Sequence, residues 1–433
     1  MELIFKKLTR KNVSLVVYVL VGFFVLLKET VYYPDSYAFL KMSFNRSPLY
    51  SSFLKVMTTI FGDSFELPTK IIQYGLLVLA VYSFLRFIER CYSLNRFGMI
   101  MLQLVLLSPC LYFYYVSSTL LSEALAYPLV ILIVVNSIKM VVSGNLKLVF
   151  KLLSLLFICI LVRGQFIAFL PVIALLVLYI VLKTRIGLEK VVLPLVCILI
   201  LPLLTGQVER GYNKLVHRNY VSNSMNYVHF ISSMFYLADE SDFEAFESKE
   251  AREYFVIVHK SLTKAGLTKK ESERAKVYDY YDVFVTSFSR ICNRRVHELG
   301  LKYFEEKGLN YYDQNIELNK LCANMLFPLW KRNFKKWIGF YFRGLKVSFG
   351  SFKQMLLFLL LLISGLMGAA KSKVNNDLFS LVAVSTLFMF ANNTLITLVV
   401  HPIKRYVFYF DWVIFAIIIL LLNEVLKKQI NGN

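Results

Sequence analysis

Long apolar blocks separated by short polar connections set the pattern of this chain, and two larger polar segments interrupt it. A bilayer core is about 30 Å thick, so a helix that crosses it needs about 20 mostly apolar residues. Blocks that meet or approach this length predict spans near 13–27, 69–88, 97–115, 124–142, 149–162, 166–182, 191–206, 354–370, 378–400 and 407–423. The fifth is short enough to tilt or to re-enter. The polar segments are 28–68 and 207–353, and the second alternates charge with aromatic residues, as in DESDFEAFESKEAREYF. That alternation predicts a small, mostly helical domain. The expected fold is an all-α polytopic membrane protein of about ten transmembrane helices. It divides into an N-terminal membrane region (1–206), the domain 207–353 and a C-terminal membrane region (354–433).

Cations orient these spans. They gather in alternate connections: Lys6, Lys7, Arg10 and Lys11 before the first span, Arg86, Arg90 and Arg96 after the second, Lys371 and Lys373 between the eighth and ninth. By the positive-inside rule such ends are cytoplasmic. The turn SSTLLSE carries no cation and belongs to the opposite side. Both termini are then expected inside, and segments 28–68 and 207–353 outside. A basic start with no small-residue cleavage site predicts that the first helix is retained.

Composition agrees with a membrane chain: 57% of the 433 residues are hydrophobic, 15% are aromatic and the mean hydropathy is +0.58. The 49 Lys and Arg against 28 Asp and Glu would point to nucleic acid in a soluble protein. Here the excess is topogenic, and no nucleic-acid-binding signature accompanies it. The six cysteines have no CxxC or metal-ligand spacing. Cys292 and Cys322 share one polar segment and could pair in an oxidising compartment. HExxH, GxSxG and GxxxxGK[ST] are all missing, which argues against a protease, lipase or ATPase. No metal cage is specified.

Charged residues at the outer ends of the spans carry the candidate chemistry, because an ionisable group facing lipid costs several kcal/mol and normally lines a cavity or finds a partner. In YYPDSYAFLKMSFNRSPLY, Asp35 could cap a short helix starting at Ser36. Tyr37 and Lys41 would then share a face at i, i+4, with Arg46 and Tyr50 beyond them. The amphipathic stretch PLYSSFLKVMTTIF would lie on the membrane surface. A carboxylate among such cations suits a base facing a lipid phosphate. Glu123 follows Ser122 where a first-turn acid is favoured by the helix dipole. Arg163 breaks ILVRGQFIAF and could snorkel to the interface. In VVHPIKRYVFYFDWV, His401, Lys404, Arg405 and Tyr406 could grip a phosphate, and Asp411 could neutralise one of the cations. The segment FPLWKRNFKKWIGFYFRGLK mixes rings and cations as an interfacial anchor does, and could also help hold an anionic lipid.

The order of these pieces resembles the GT-C superfamily of integral-membrane glycosyltransferases: Asp-Ser-Tyr then Arg-x-Pro-x-Tyr after the first span, Ser122-Glu123 opening a span, Arg163-Gly164 at a span break, and Arg405-Tyr406 before the last span. Bacterial members use polyprenyl-phosphate-linked sugars, and relatives include protein O-mannosyltransferases and aminoarabinose transferases of lipid A. The resemblance implies an inverting enzyme of the bacterial inner membrane with its active site on the periplasmic side. Asp35 would be the base, with Glu123 as a second acid. Lys41, Arg46, Arg163, Lys404 and Arg405 would hold the donor phosphate. Tyr37, Tyr50, His401 and Tyr406 would line the site. Implied partners are the polyprenyl-phosphate sugar, an envelope glycan or lipid acceptor, such as O-antigen in lipopolysaccharide, and membrane lipids. Some relatives carry paired Asp-Glu in the first outer loop, whereas Ser36 follows Asp35 here. No cofactor is implied, and a divalent metal is left open. The same pattern admits a polysaccharide polymerase, and from other classes a lipid-linked oligosaccharide flippase or a non-catalytic scaffold. The crowding of charges at the outer boundary favours surface chemistry over passage through the midplane.

Overall fold

The computed structural model describes residues 10–430 apart from 93, 113–114, 186, 188, 223–224, 276–278 and 372–376. Lys6, Lys7 and Lys373 lie outside the described residues, as do the side chains of Arg10, Lys11 and Lys371. Helix α1 (Arg10–Leu27) is followed by two short helices, α2 (Pro34–Leu40) and α3 (Pro48–Phe61). Next come α4 (Glu66–Cys91), α5 (Arg96–Leu111), α6 (Glu123–Ser143), α7 (Leu148–Val162), α8 (Phe169–Thr184) and α9 (Glu189–His217). The polar segment forms α10 (Asn226–Leu237), α11 (Lys249–Lys264), α12 (Lys269–Arg274), α13 (Tyr280–Ile291), α14 (Glu298–Glu305), α15 (Tyr311–Arg332) and α16 (Phe334–Ser348). The chain closes with α17 (Phe352–Lys371), α18 (Asp377–Val399), α19 (Lys404–Val407) and α20 (Trp412–Ile430). Among the described residues no strand forms, and the one β-bridge joins Val31 to Thr119.

Eight of these segments are long and apolar enough to cross a membrane: α4, α5 with the turn after it, α6, α8 with the turn before it, α9, α17, α18, and α19 running into α20. The other two expected spans, Val13–Leu27 in α1 and Leu148–Val162 in α7, are shorter apolar helices. The 15 residues of α7 rise about 22 Å, less than the hydrocarbon thickness. The protein is an all-α, multi-pass membrane protein, with eight helices of full spanning length among the described residues.

The helices fall into two compact units, one of Met1–Gly206, Leu357–Asn392 and Phe408–Asn433, the other of Gln207–Leu356 and Asn393–Val407. Within the first, α6 packs against α4 and α7 and is buried nearly all round. A helix apolar on every face belongs among other helices. On α17, by contrast, Leu360, Ile363 and Met367 are exposed, the apolar surface that lipid covers. That helix meets α18 through glycine: a Cβ on Gly365 would stand 2.8 Å from the backbone nitrogen of Ala383. Small residues allow such backbone approach between membrane helices.

The second unit has its own core, built from Phe235, Tyr254, Phe255, Phe284, Phe288 and Leu318 among others. Asp242, 4% exposed, is fully engaged there: it accepts from Arg332 (2.9 Å), Asn333 (2.7 Å) and the backbone N–H of Asp239 (2.9 Å). Cys292 and Cys322 are free thiols in this core, so the pairing considered from sequence is not made. Burial pushes the Cys292 thiol up to about 12, and both side chains serve as small hydrophobes. The aromatic and basic segment forms the end of α15 and all of α16. Trp330, Phe334, Trp337 and Tyr341 form a ladder there: Trp330 meets Phe334 edge-on with ring centroids 4.9 Å apart, and Trp337 stacks on Phe334 at 6.0 Å and on Tyr341 at 5.3 Å.

Candidate functional site

The segment after α1 is positioned by backbone pairing. Val31 N–H donates to the Ser118 carbonyl at 2.9 Å, and Leu120 N–H donates to the Val31 carbonyl at 3.3 Å. Lys70, reaching from α4, donates to the carbonyls of Leu26 (3.1 Å) and Lys28 (2.8 Å), which the end of α1 leaves unsatisfied. The chain therefore leaves α1 already fixed against the turn that precedes Ser122 and Glu123.

Helix α2 opens at Pro34, not at Ser36. Proline suits the first helical position, and Ser36 Oγ accepts from the Tyr33 N–H at 3.0 Å. Asp35 thus sits inside the first turn, where the dipole favours an acid, and is not the cap expected from sequence. Its carboxylate turns to Arg46, with Oδ1 2.8 Å from Nη2, and the two side chains are 25% and 32% exposed. The Arg46 guanidinium lies over the Phe39 ring at 5.3 Å, and Phe39 meets Tyr50 edge-on at 5.0 Å. Tyr37 is exposed and stacks on Tyr32 at 5.5 Å. Lys41 is exposed at the C-terminal cap of α2.

Tyr50 is differently placed from the expectation that it lines a substrate site. It is 0% exposed, on the face of α3 that also buries Leu54 and Met57. Its hydroxyl donates to Gln73 Oε1 at 3.0 Å, while Gln73 Nε2 donates to the carbonyls of Ser117 (3.1 Å) and Thr119 (3.2 Å). Burial first, and the charge of Glu123 second, hold the Tyr50 hydroxyl well above its usual range. Tyr50 and Gln73 thus tie α3 and α4 to the turn ahead of α6.

Arg163 turns inward, so it does not snorkel. Its Nη1 lies 2.8 Å from Glu123 Oε1 and donates to Ser122 Oγ at 3.2 Å. Its Nε donates to Gln165 Oε1 at 2.5 Å, and Gln165 Nε2 donates to Asn392 Oδ1 at 2.8 Å. One polar network thus ties the start of α6, the break after α7 and the middle of α18. Asp411 lies elsewhere in the same unit, beside Ser108, Tyr112, Tyr127 and Trp412 around a cavity of about 40 Å³. Sequence reasoning missed Gln73, Gln165 and Asn392. The available signal was a carboxamide inside an apolar run, as in IIQYGLL and FANNTLI, since buried amides need partners.

The other candidates, His401, Lys404, Arg405 and Tyr406, belong to the second unit. His401 stacks on Phe288 with centroids 4.1 Å apart, and His229 stacks on the same ring at 6.2 Å. Burial, helped by the charges of His229 and Arg405, pushes the His401 imidazole down to about 3, so it is neutral at physiological pH. Its buried Nδ1 has no hydrogen-bond partner among the described residues. Arg405 donates to the Tyr406 hydroxyl at 3.2 Å and Lys404 is exposed. His229, which sequence reasoning also missed, shares the Phe288 ring with His401.

Two kinds of arrangement result. Asp35 with Arg46 is a partly exposed carboxylate beside a guanidinium, able to take a proton and to face developing negative charge. Glu123 with Arg163 is closed in and acts on its surroundings through geometry. Among the described residues no group of three His, Cys, Asp or Glu side chains is placed to hold a metal ion. No family model, curated protein or solved structure matches the chain, so its function is argued from these side chains alone.

Proposed function

We propose that the protein is a glycosyltransferase of the bacterial inner membrane. It moves a sugar from a polyprenyl-phosphate donor to an envelope glycan or lipid on the periplasmic side, with Asp35 as general base. The observation that carries this reading is the partly exposed Asp35 carboxylate 2.8 Å from Arg46, in the first loop after a helix at the apolar boundary. An acceptor hydroxyl oxygen attacks the anomeric carbon while its proton passes to Asp35. The bond from that carbon to the phosphate oxygen breaks, and polyprenyl phosphate leaves with the electron pair. A single displacement inverts the anomeric centre. Arg46 and the exposed Lys41 face the charge that develops on the leaving phosphate. Tyr37 offers a ring to the sugar. Glu123 and Arg163, both enclosed, join the start of α6 to α18 through Gln165, and the enclosed Tyr50 fixes α3 on α4 through Gln73. Lys404 and Arg405, with His401 and Tyr406, form a further anion-binding group in the second unit.

The test compares the wild type with Asp35→Asn in membranes supplied with labelled polyprenyl-phosphate sugars and an envelope-glycan extract, at equal protein level. Transfer by the wild type and its loss in the variant supports the assignment. Equal transfer by both removes Asp35 from catalysis. Transfer by neither turns the search to polymerisation and lipid translocation.

A further inference from the structure

We infer that the second unit carries a saccharide-binding groove between the C-terminal end of α9 and the N-terminal end of α15. The groove, about 500 Å³ in volume, is lined by Val216, His217, Arg218 and Asn219 on one side and by Asn310, Tyr311, Tyr312 and Asp313 on the other. That volume lies within the range of small-ligand sites. The proposal concerns binding alone and stands whether or not the chain transfers a sugar.

The lining chemistry selects the ligand class. Val216 is its single aliphatic side chain, too little for an acyl chain or an apolar peptide. Arg218 is balanced by Asp313, so the groove has no net charge to draw a phosphate. The backbone N–H groups of Tyr312 and Asp313 already donate to Asn310 Oδ1, at 3.0 and 3.1 Å, which closes the helix terminus as an anion site. What is left is a set of planar amide, carboxylate, guanidinium and imidazole groups beside two tyrosine rings. Such groups donate to and accept from adjacent hydroxyls, and aromatic rings pack on the C–H faces of sugars. A polyhydroxylated ligand satisfies both.

The groove is also built in advance. Tyr311 is 51% exposed and meets Tyr312 nearly at right angles, with centroids 5.6 Å apart. Tyr312 in turn lies 5.8 Å from the His217 ring. Asn310 Nδ2 donates to Asp313 Oδ2 at 2.6 Å, and Asn219 Nδ2 donates to the His217 carbonyl at 2.9 Å, so both carboxamides are oriented. Arg218 has φ +64°, the left-handed conformation that glycine adopts more easily after a helix end. An arginine kept where glycine would be easier points to a use for its side chain.

The full chain in phosphatidylcholine nanodiscs would be examined by saturation-transfer NMR against maltohexaose, isomaltohexaose and chitohexaose, with inorganic phosphate as competitor. Expected is saturation transfer to at least one hexasaccharide, unaffected by phosphate. Tyr311→Ala and Arg218→Gly should each weaken it about tenfold, the loss of one stacking or hydrogen-bonding contact. Arg218→Gly should meanwhile keep or raise the unfolding temperature, a combination that a merely structural arginine would not give. Absence of transfer to any of the three saccharides at millimolar concentration would overturn the inference. So would displacement by phosphate, or undiminished binding in both variants.

Discussion

Glu123 Oε1 lies 2.8 Å from Arg163 Nη1, and only 3% and 15% of the two side chains are exposed. A buried pair of this kind contributes little net stability over apolar residues of the same shape, yet breaking it strands a charge. Glu123→Ala should therefore destabilise the protein by about 3–5 kcal/mol. Glu123→Ala combined with Arg163→Met should recover a large part of that loss. Thermal unfolding in one detergent, arranged as a double-mutant cycle, measures the coupling. Additive effects would mean that the pair does not act as a unit.

The Asp35–Arg46 pair should behave in the opposite way. Both side chains are partly exposed, so Arg46→Gln should change stability by less than about 1 kcal/mol. If Arg46 stabilises a leaving phosphate, sugar transfer should nonetheless fall about 100-fold, as when one charge-stabilising donor is lost. A loss of transfer that merely follows a loss of folded protein would remove Arg46 from the chemistry.

Tyr50→Phe leaves Gln73 Oε1 without its donor in a buried position. The expected loss is about 1–3 kcal/mol of stability. Transfer by the protein that remains folded should stay at the wild-type level, since the ring is enclosed. A raised KM with unchanged stability would instead place Tyr50 against substrate.

In the second unit a Cβ on Gly344 would collide with the Tyr281 hydroxyl and stand 2.6 Å from Thr397 Cγ2. Overpacking of this kind typically costs about 1–3 kcal/mol, so Gly344→Ala should destabilise the unit. The buried Tyr281 hydroxyl has no hydrogen-bond partner among the described residues, so Tyr281→Phe should be neutral or stabilising, and it should relieve only part of the Gly344→Ala clash, because ring carbon Cζ would still stand 2.8 Å from that Cβ. Limited proteolysis of the three variants would read this order directly.

His401 gives the unit a pH dependence. Its imidazole, ordinarily near 6.5, is held at about 3 by burial, so unfolding takes up a proton below pH 6.5 that the folded state excludes. The stability of the neutral ring is fully present above 6.5 and is lost progressively as the pH falls toward 3. Between pH 7 and 4 the unfolding temperature of the wild type should drop more steeply than that of His401→Gln. His297, also pushed down by burial, remains in both proteins and cancels. Parallel profiles would show that His401 titrates freely.

The sequence made the membrane class legible because spans are written in apolar length, and it made Asp35, Arg46, Glu123 and Arg163 visible because charge near an apolar block is conspicuous. It did not reveal their partners. Arg163 at a span break is equally compatible with snorkelling and with a turn inward, and its choice depends on where α6 places Glu123. Tyr50 was readable in part: its spacing from Leu54 and Met57 marks one buried helix face, although a membrane-surface helix has the same period. Gln73, Gln165 and Asn392 carry no charge, and their roles arise only when three distant segments meet. The start of α2 turned on one proline and one serine, a local competition that the acid beside them obscured.

The bridge between Val31 and Thr119 also fixes an order of events during synthesis. When the ribosome has delivered α1, α2 and α3, the strand-like partner of Val31 has not been translated, and two further apolar helices must be inserted before it emerges. The segment around Val31 therefore cannot complete its backbone pairing when it is first made. The hydrogen bonds of Val31 with Ser118 and Leu120 close only when the turn ahead of α6 arrives, which makes that pairing a late step of biogenesis.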